Sequence, residues 1–347
     1  MKVVGGYGET SLSNIPEQAK FAESMGVDAI TTGEVKRHSL LSMTLAVEHT
    51  ENVEICTGVT IVFPRSPMIM AQACWDLQEY SKGRINIGLG SQVKGHNLRR
   101  FAGSWTPPYQ RMKDYIGMMR AVWKSWQTGE KPEYVSENYA YTLMTPNFDP
   151  GPIDYPFPKI SISAVGPKMA ELSGEACDGL LPHGFMTVDF LRDVLVPAVE
   201  KGARSAGRNL SDIEISAGGF FALGESDSEV EQAIQRIRVP ISFYGSTRTY
   251  HRIFDHHGYE GLGMQLHEMS LRGEWDKMPG AVPFDVAAEM ANVSTYDKLP
   301  GYLRENFPFC SRVGMLPLPG GNAGGRGLTA SMSVERAKWL VQELQKV

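Results

Sequence analysis

The chain has 347 residues, and its 34 Lys and Arg against 39 Asp and Glu give a formal net charge of −5 at pH 7. Proteins that bind nucleic acids through their phosphates need a basic surface, so this balance argues against that class. The longest apolar runs reach about five residues, far short of the roughly 18 that span a bilayer, and the polar N-terminus lacks the apolar core of a secretory signal. An enzyme acting on a small molecule, with no nucleic-acid or membrane partner, is the class that remains.

The four cysteines, Cys56, Cys74, Cys177 and Cys310, are scattered along the chain. They form no C-x-x-C motif and no Cys/His pairing at zinc spacing, so we expect neither a disulfide framework nor a metal site. Reduced thiols in a cytoplasmic protein are the simplest expectation.

Short β-branched runs alternate with longer helical patterns through the first half of the chain. Strands are predicted at residues 2–5, 28–32, 54–61 and 84–88, with helices at about 14–26, 39–50, 65–82 and 109–127. Because strand and helix repeat at a regular interval, the pattern favours a parallel sheet with helices outside it.

The pattern continues in the second half after a long segment rich in Pro, Gly and Tyr. Further strands are predicted at 159–164, 179–182, 213–223 and 312–316, and helices from 167, over 187–206, over most of 226–306 and over 332–346. Eight strands predict an α/β fold, a (β/α)8 TIM barrel forming a single domain over 1–347. Insertions follow strands four and seven, the second of them helical over about 243–306. A doubly wound open sheet is the alternative.

Barrel chemistry lies at the C-terminal ends of the strands, which directs attention to two carboxylates. Glu9 follows strand one, and Glu34 follows strand two with His38 four positions later. A carboxylate and an imidazole so placed suit an acid/base pair. A solvated loop acid for Glu9 and a structural ion pair for Glu34 remain open as alternatives.

Strands three and four carry glycines and a polar segment. Gly58, inside predicted strand three, indicates a bulge, a close approach by a ligand or plain strand irregularity. The segment from Gly88 to His96 is a weak dinucleotide fingerprint, because Val93 occupies the third glycine position. Its Lys and His, with Arg99 and Arg100, suit either a pocket edge for an anion or a solvated helix face.

The turn after strand five is the strongest single feature. In residues 163–168, SAVGPK, a strand enters a Gly-Pro turn with Pro167 at the first helical position. Free N–H groups and the positive end of the helix dipole make such a turn a phosphate site. An ordinary turn that begins a helix well is the alternative.

Three segments together resemble the luciferase-like monooxygenase superfamily, in particular its branch of oxidoreductases that use the deazaflavin coenzyme F420. They are residues 22–34, 57–96 and 162–179, which occur in order and at family-like spacing. The resemblance implies a (β/α)8 barrel with the deazaflavin ring deep in its mouth. Hydride would then pass between the ring and a small organic substrate, an alcohol or carbonyl or an activated C=C or C=N.

The resemblance also implies which residues contact the coenzyme. The bulge of strand three, commonly with a non-prolyl cis peptide, backs the ring at Gly58–Val59. The implied contacts in this sequence are Gly58, Val59, Thr60, Ser91, Gln92, Val93, Lys94, His96, Ala164, Val165, Gly166, Pro167 and Lys168. Lys168 or Arg99 would be available to the acidic oligoglutamate tail.

Glu34, Glu9, His38 and His96 are the candidates to exchange the accompanying proton, without an order among them. The sequence departs from the sugar-phosphate dehydrogenases of this branch, which carry a His directly after the strand-two acid and a Glu after strand four. Val35 and Val93 occupy those places, which puts the glucose-6-phosphate reaction in doubt.

Two further functions remain open on the same scaffold. One is an FMN-dependent monooxygenase, and the other is a barrel that binds its cofactor without turnover. Family members are often dimers through helices two and three, so the resemblance also implies a homodimer.

Overall fold

The computed structural model describes residues 1–7, 10–316 and 332–347, so Glu9 lies outside the described residues. The strands in this part of the chain are β1 Lys2–Gly6, β2 Ala29–Thr32, β3 Glu54–Thr57, β4 Thr60–Ile61, β5 Ile85–Gly90, β6 Tyr134–Val135, β7 Ala140–Tyr141, β8 Lys159–Ala164, β9 Gly179–Pro182, β10 Glu214–Ala217, β11 Phe220–Gly224, β12 Ala291–Thr295 and β13 Arg312–Leu316.

Eight of these strands form a closed parallel barrel. Hydrogen bonding runs in the order β3, β2, β1, β13, β10, β9, β8, β5, and the pairing of β3 with β5 closes the ring. The short strand β4 continues β3 after an interruption and also pairs with β5. The predicted TIM barrel is therefore confirmed, and the open-sheet alternative is wrong because the sheet has no free edge.

Helices surround the barrel and fill the insertions after β5 and β10. Their bounds are α1 Ile15–Ser24, α2 Ser39–Glu48, α3 Pro67–Tyr80, α4 Lys94–Arg99, α5 Pro108–Thr128, α6 Pro167–Ala176, α7 Val188–Phe190, α8 Val196–Ser205, α9 Asp227–Gly245, α10 His251–His256, α11 Glu260–Leu271, α12 Met278–Ala281, α13 Phe284–Glu289, α14 Leu299–Asn306 and α15 Val334–Gln345. No helix of the described residues is long and apolar enough to cross a membrane.

The predicted helical faces form the core. In α5 the Met, Tyr and Trp side chains at Met112, Tyr115, Trp123 and Trp126 are buried, as expected for core packing. Their helical spacing places them on one side, where α3 packs against them. All four cysteines are free thiols, which agrees with the sequence.

The prediction of one strand over 213–223 is wrong. The strand breaks at Gly218 and Gly219, and the second of these has a φ of +98°, a conformation that favours glycine. After the break, β11 leaves the barrel and pairs in parallel with β12. That partner lies inside the segment expected to be mostly helical, so the insertion is mixed rather than purely helical.

A charged cluster occupies the N-terminal end of the barrel. Arg312, almost completely buried, donates to Glu54 Oε1 at 3.1 Å and to Glu214 Oε2 at 2.9 Å. Lys159 reaches the same two carboxylates, and Lys2 bonds Glu214. Burial raises the pKa of Glu54, but the charges of Arg312, Lys159 and Lys2 outweigh it and hold the pKa at about 2.

Candidate active site

A cavity of about 940 Å³ opens at the C-terminal ends of the barrel strands. Its size is at the upper end for a ligand site, large enough for an extended cofactor together with a substrate. The loops after successive strands supply its wall, as the barrel architecture predicts.

One wall is the interruption between β3 and β4. The Gly58–Val59 peptide is cis, as the family resemblance implied, and both residues line the cavity. Gly58 N–H donates to the carbonyl of Thr32 at 2.8 Å, which attaches the interruption to the end of β2. The expected bulge in strand three is therefore present.

Two glycines of β5 allow the interrupted strand to lie close. A Cβ at Gly88 would collide with the carbonyl oxygen of Thr57, and one at Gly90 would collide with the Val59 side chain. The Thr57 hydroxyl also bonds the backbone N–H and carbonyl of Gly88, each at 3.0 Å. The two glycines of β5 thus allow the interrupted strand to pack closely against it.

Glu34 lies at the mouth, where Arg65 and the backbone bind both of its oxygens. Arg65 donates to Oε1 at 2.6 Å and to Oε2 at 2.9 Å, the N–H of Ile61 donates to Oε2 at 2.7 Å, and the N–H of Ser39 approaches Oε1 at 3.3 Å. His38 is exposed, and its Nε2 lies 3.0 Å from Arg65 Nη2. Arg65 therefore stands between the two members of the predicted acid/base pair.

The loop after β5 forms a second wall. Gln92 adopts a φ of +56°, in the left-handed region that side chains other than Gly, Asn and Asp seldom occupy. The buried Asn97 holds this loop, since its Nδ2 donates to the carbonyls of Ser91 at 2.9 Å and Val93 at 3.2 Å. A constrained residue in a cavity wall is a mark of a functional site.

The turn after β8 forms a third wall and begins α6. Pro167 has no N–H, so the N–H groups of Lys168 and Met169 point from the first turn without helical partners. Arg252 of α10 lies over this turn, because a Cβ at Gly166 would collide with its guanidinium. Among the described residues Arg252 forms no ion pair, so its charge faces the turn without a carboxylate.

The charged groups of the wall are mostly positive. Within the described part of the chain, the lining cations at the mouth are Lys94, Arg100, Lys168 and Arg252, whereas Arg312 touches the cavity from the N-terminal end of the barrel, where Glu54 and Glu214 pair with it. The one carboxylate among these lining residues is Glu34, and Arg65 balances its charge. Such a mouth attracts an anion.

The predicted site residues are mostly brought together. Those that line the cavity are Glu34, Gly58, Val59, Ser91, Gln92, Val93, Lys94, His96, Val165, Gly166, Pro167 and Lys168. Among the described residues, His38, Thr60, Ala164 and Arg99 lie outside the wall. Arg100 takes the place expected for Arg99 and also donates to the carbonyl of Val35 at 2.6 Å.

The sequence did not predict a group of aromatic rings in the cavity wall. His183 follows β9 directly and lies against Tyr244 and Tyr250, with ring centroids 4.6 and 4.7 Å away. A His directly after a barrel strand is a signal that the sequence does contain, but the tyrosines and Arg252 belong to an insertion with no barrel periodicity. Their place in the site depends on tertiary contacts alone.

The chain matches the family model for luciferase-like monooxygenases over residues 2–305, and it belongs to this family. It is 38% identical over 293 residues to an uncharacterized protein of Mycobacterium tuberculosis, covering 84% of this chain and 86% of that one. It is 30% identical over 223 residues to a 5,10-methylenetetrahydromethanopterin reductase of Methanolobus tindarius, covering 64% and 65%.

A further relative is an F420-dependent glucose-6-phosphate dehydrogenase of Rhodococcus hoagii, 27% identical over 216 residues and covering 58% of this chain and 62% of that one. In structure, the chain is similar to a coenzyme F420-dependent tetrahydromethanopterin reductase of Methanopyrus kandleri. The TM-score is 0.74 at 20% identity, covering 100% and 99% of the two chains, a likeness that shows the fold. The protein is thus a member of a family of oxidoreductases and has a (β/α)8-barrel fold.

Proposed function

We propose that the protein is an F420-dependent oxidoreductase that transfers a hydride between the deazaflavin and a small organic substrate. The observation that supports this proposal most is the cavity wall at the start of α6, where Lys168, Gly166 and Arg252 all line one cavity of about 940 Å³ and the Arg252 guanidinium lies over Gly166. F420 relatives of known activity support the choice of coenzyme.

The residues present fit such a coenzyme. A phosphodiester suits the N–H groups of Lys168 and Met169 together with the cations of Lys168 and Arg252. The ring suits the interrupted strand at Gly58 and Val59, because both line the cavity and neither carries a large side chain. Lys94 and Arg100, at the same mouth, suit a carboxylate tail.

The coenzyme, when bound, supplies a carbon that gives or accepts a hydride. The chain's own task is to fix that carbon against a substrate and to exclude water. Glu34, by its four hydrogen bonds, would hold the end of β2 against the start of β4 and so fix the backing wall. We therefore assign Glu34 a positioning role, and His96 stays a proton-exchange candidate at the exposed rim of the cavity.

Cofactor titration tests the proposal directly. The purified protein is titrated with F420 and separately with FMN, following absorbance and fluorescence, and the loaded protein is then offered alcohols, aldehydes and enones. We expect F420 to bind at least about tenfold more tightly than FMN, a difference of about 1.4 kcal/mol. We also expect one substrate class to change the redox state of the coenzyme.

The alternatives give different results. Preferential binding of FMN with oxygen consumption would indicate a monooxygenase and contradict the proposal. Tight F420 binding with no turnover of any of the three substrate classes would indicate a barrel that only carries the coenzyme.

We further propose that the protein is a homodimer through α2 and α3. The apolar side chains of Leu41 on α2 and Ile69 on α3 are more than half exposed, which suits burial against a second copy. Sedimentation of the wild-type protein and of a Leu41→Glu variant checks this, since a dimer through these helices should dissociate in the variant.

A further inference from the structure

The insertion after β10 supplies an uncharged part of the cavity wall. Among the described lining residues from Phe221 to Tyr250, none carries a charged side chain. The cations at the mouth lie on or beside three other elements, α4, α6 and α10; they are Lys94, Arg100, Lys168 and Arg252. The cavity therefore offers cations to one part of a ligand and neutral side chains to another.

Two side chains of β11 form the buried part of this neutral wall. Phe221 and Leu223 line the cavity two positions apart, so they share one face of the strand. Both are buried, so little water reaches them. Because β11 pairs with β12 outside the barrel, these apolar side chains are additions to the wall that the eight barrel strands do not supply.

The C-terminal end of α9 continues the neutral wall to the protein surface. Phe243 and Tyr244 line the cavity, with ring centroids 5.2 Å apart. Phe243 is more than half exposed, and its ring centroid lies 6.0 Å from that of Trp275, which is about half exposed as well. We refer to Phe221, Leu223 and Phe243 as the apolar side of the cavity, which has a buried end in β11 and an open end beside Trp275.

The coenzyme does not need the apolar side. Its phosphodiester and its acidic tail are charged, and a charged group loses free energy when apolar side chains replace its water. The cations at the mouth suit those groups, and the interrupted strand at Gly58 and Val59 suits the ring. The apolar side therefore remains for the second reactant.

Resting on the proposed function, we infer that the substrate carries a hydrocarbon chain or ring beside the group that exchanges the hydride, and that this apolar body packs against Phe221, Leu223 and Phe243. Because Phe243 reaches the surface, a long body can extend past it towards Trp275. Each methylene that leaves water for the apolar side should strengthen binding about fourfold. The inference thus predicts how affinity depends on chain length.

The test measures the binding of straight-chain alcohols, from butanol to octanol, by calorimetry. The protein is loaded with reduced F420, which cannot accept a hydride from an alcohol, so binding is measured without turnover. In wild type we expect the dissociation constant to fall about fourfold per methylene, with a negative heat-capacity change that marks apolar burial.

Variants of Phe243 locate the chain on the apolar side. Phe243→Ser should raise the dissociation constant of octanol about tenfold and that of butanol by less than about threefold, because only the longer chain reaches this position. Phe243→Leu, which stays apolar, should keep most of the affinity for octanol. Val239→Ser is the matched control, since Val239 is exposed one turn earlier on α9 and does not line the cavity, and it should bind the whole series as wild type does.

The outcomes separate this inference from the proposed function. Affinities that do not change with chain length in F420-loaded wild type overturn the inference alone, even if a variant fails to fold. A Phe243→Ser protein that binds the series as wild type does but loses a dimer in sedimentation also overturns it, because Phe243 would then contact a second copy. A wild-type protein that binds no F420 contradicts the proposed function, and the same series measured without coenzyme would then decide whether the apolar side binds chains.

Discussion

Arg65 binds Glu34 through both carboxylate oxygens, at 2.6 and 2.9 Å, and joins the loop after β2 to the loop after β4. The side chains of the pair are 18% and 9% exposed, so most of the contact is removed from water. Because the N–H of Ile61 donates to the same carboxylate, the pair fixes the strand that carries the cavity's backing wall.

Replacing Glu34 by Gln should therefore act on stability and on coenzyme binding together. The variant leaves the largely buried Arg65 charge without an opposite charge beside it, which we expect to lower the free energy of unfolding by about 2–3 kcal/mol. Urea unfolding and F420 titration measure the two effects. Glu48→Gln, at an exposed position, is the control. A Glu34→Gln protein that keeps wild-type stability and coenzyme binding but has a lower kcat would instead indicate that Glu34 transfers the proton.

The cations at the α6 turn should make coenzyme binding sensitive to salt. We expect Lys168→Gln and Arg252→Gln each to raise the dissociation constant of F420 about tenfold at low salt, or about 1.4 kcal/mol. The difference from wild type should shrink at about 0.5 M salt because ions screen exposed charges. Lys131→Gln, beyond the C-terminus of α5, is the control and should bind F420 as wild type does. A wild-type dissociation constant for Arg252→Gln would contradict a role of Arg252 in coenzyme binding.

The close approach of β5 to the interrupted strand predicts a variant and its rescue. Gly90→Ala should displace Val59 and weaken F420 binding, since its Cβ would collide with that side chain. Adding Val59→Ala should restore much of the binding, because it removes the colliding atoms. Gly88→Ala should not be rescued, since its Cβ would meet the Thr57 carbonyl, and equal behaviour of the two glycine variants would contradict this account.

The charged cluster around Arg312 predicts loss of stability in acid. The pKa of Glu54 is about 2 in the folded protein against an ordinary 4.5, and the charges around Glu214 lower its pKa as well despite burial. A lowered folded pKa stabilises the protein above pH 4.5, and that stabilisation is lost as the pH falls towards 2. For Glu54 alone it amounts to about 3 kcal/mol.

Urea unfolding at pH 7, 5 and 3.5 measures this effect. Glu54→Gln should lower the free energy of unfolding at pH 7 and flatten its dependence on pH, whereas the exposed Glu133→Gln should do neither. A Glu54→Gln protein with the wild-type acid slope would show that other groups govern acid unfolding.

Local patterns predicted the barrel and part of its mouth. Strands at 159–164 and 179–182 and the turn at Gly166–Pro167 lie where the sequence placed them, since β-branched runs and the Gly-Pro signal act over a few neighbours. The interruption at Gly58 followed from a glycine inside a buried strand and from the family resemblance. Each of these features depends on residues close together in the chain.

By itself, the sequence determined that the chain alternates strand and helix, closes as a barrel and starts α6 with a turn suited to an anion. Only the tertiary structure decided that Arg65 binds Glu34, that β11 pairs with β12 outside the barrel and that Tyr244 and Tyr250 pack against His183. These contacts join residues some 30 to 70 positions apart, and no local propensity records which distant side chains the closure of a barrel brings into contact.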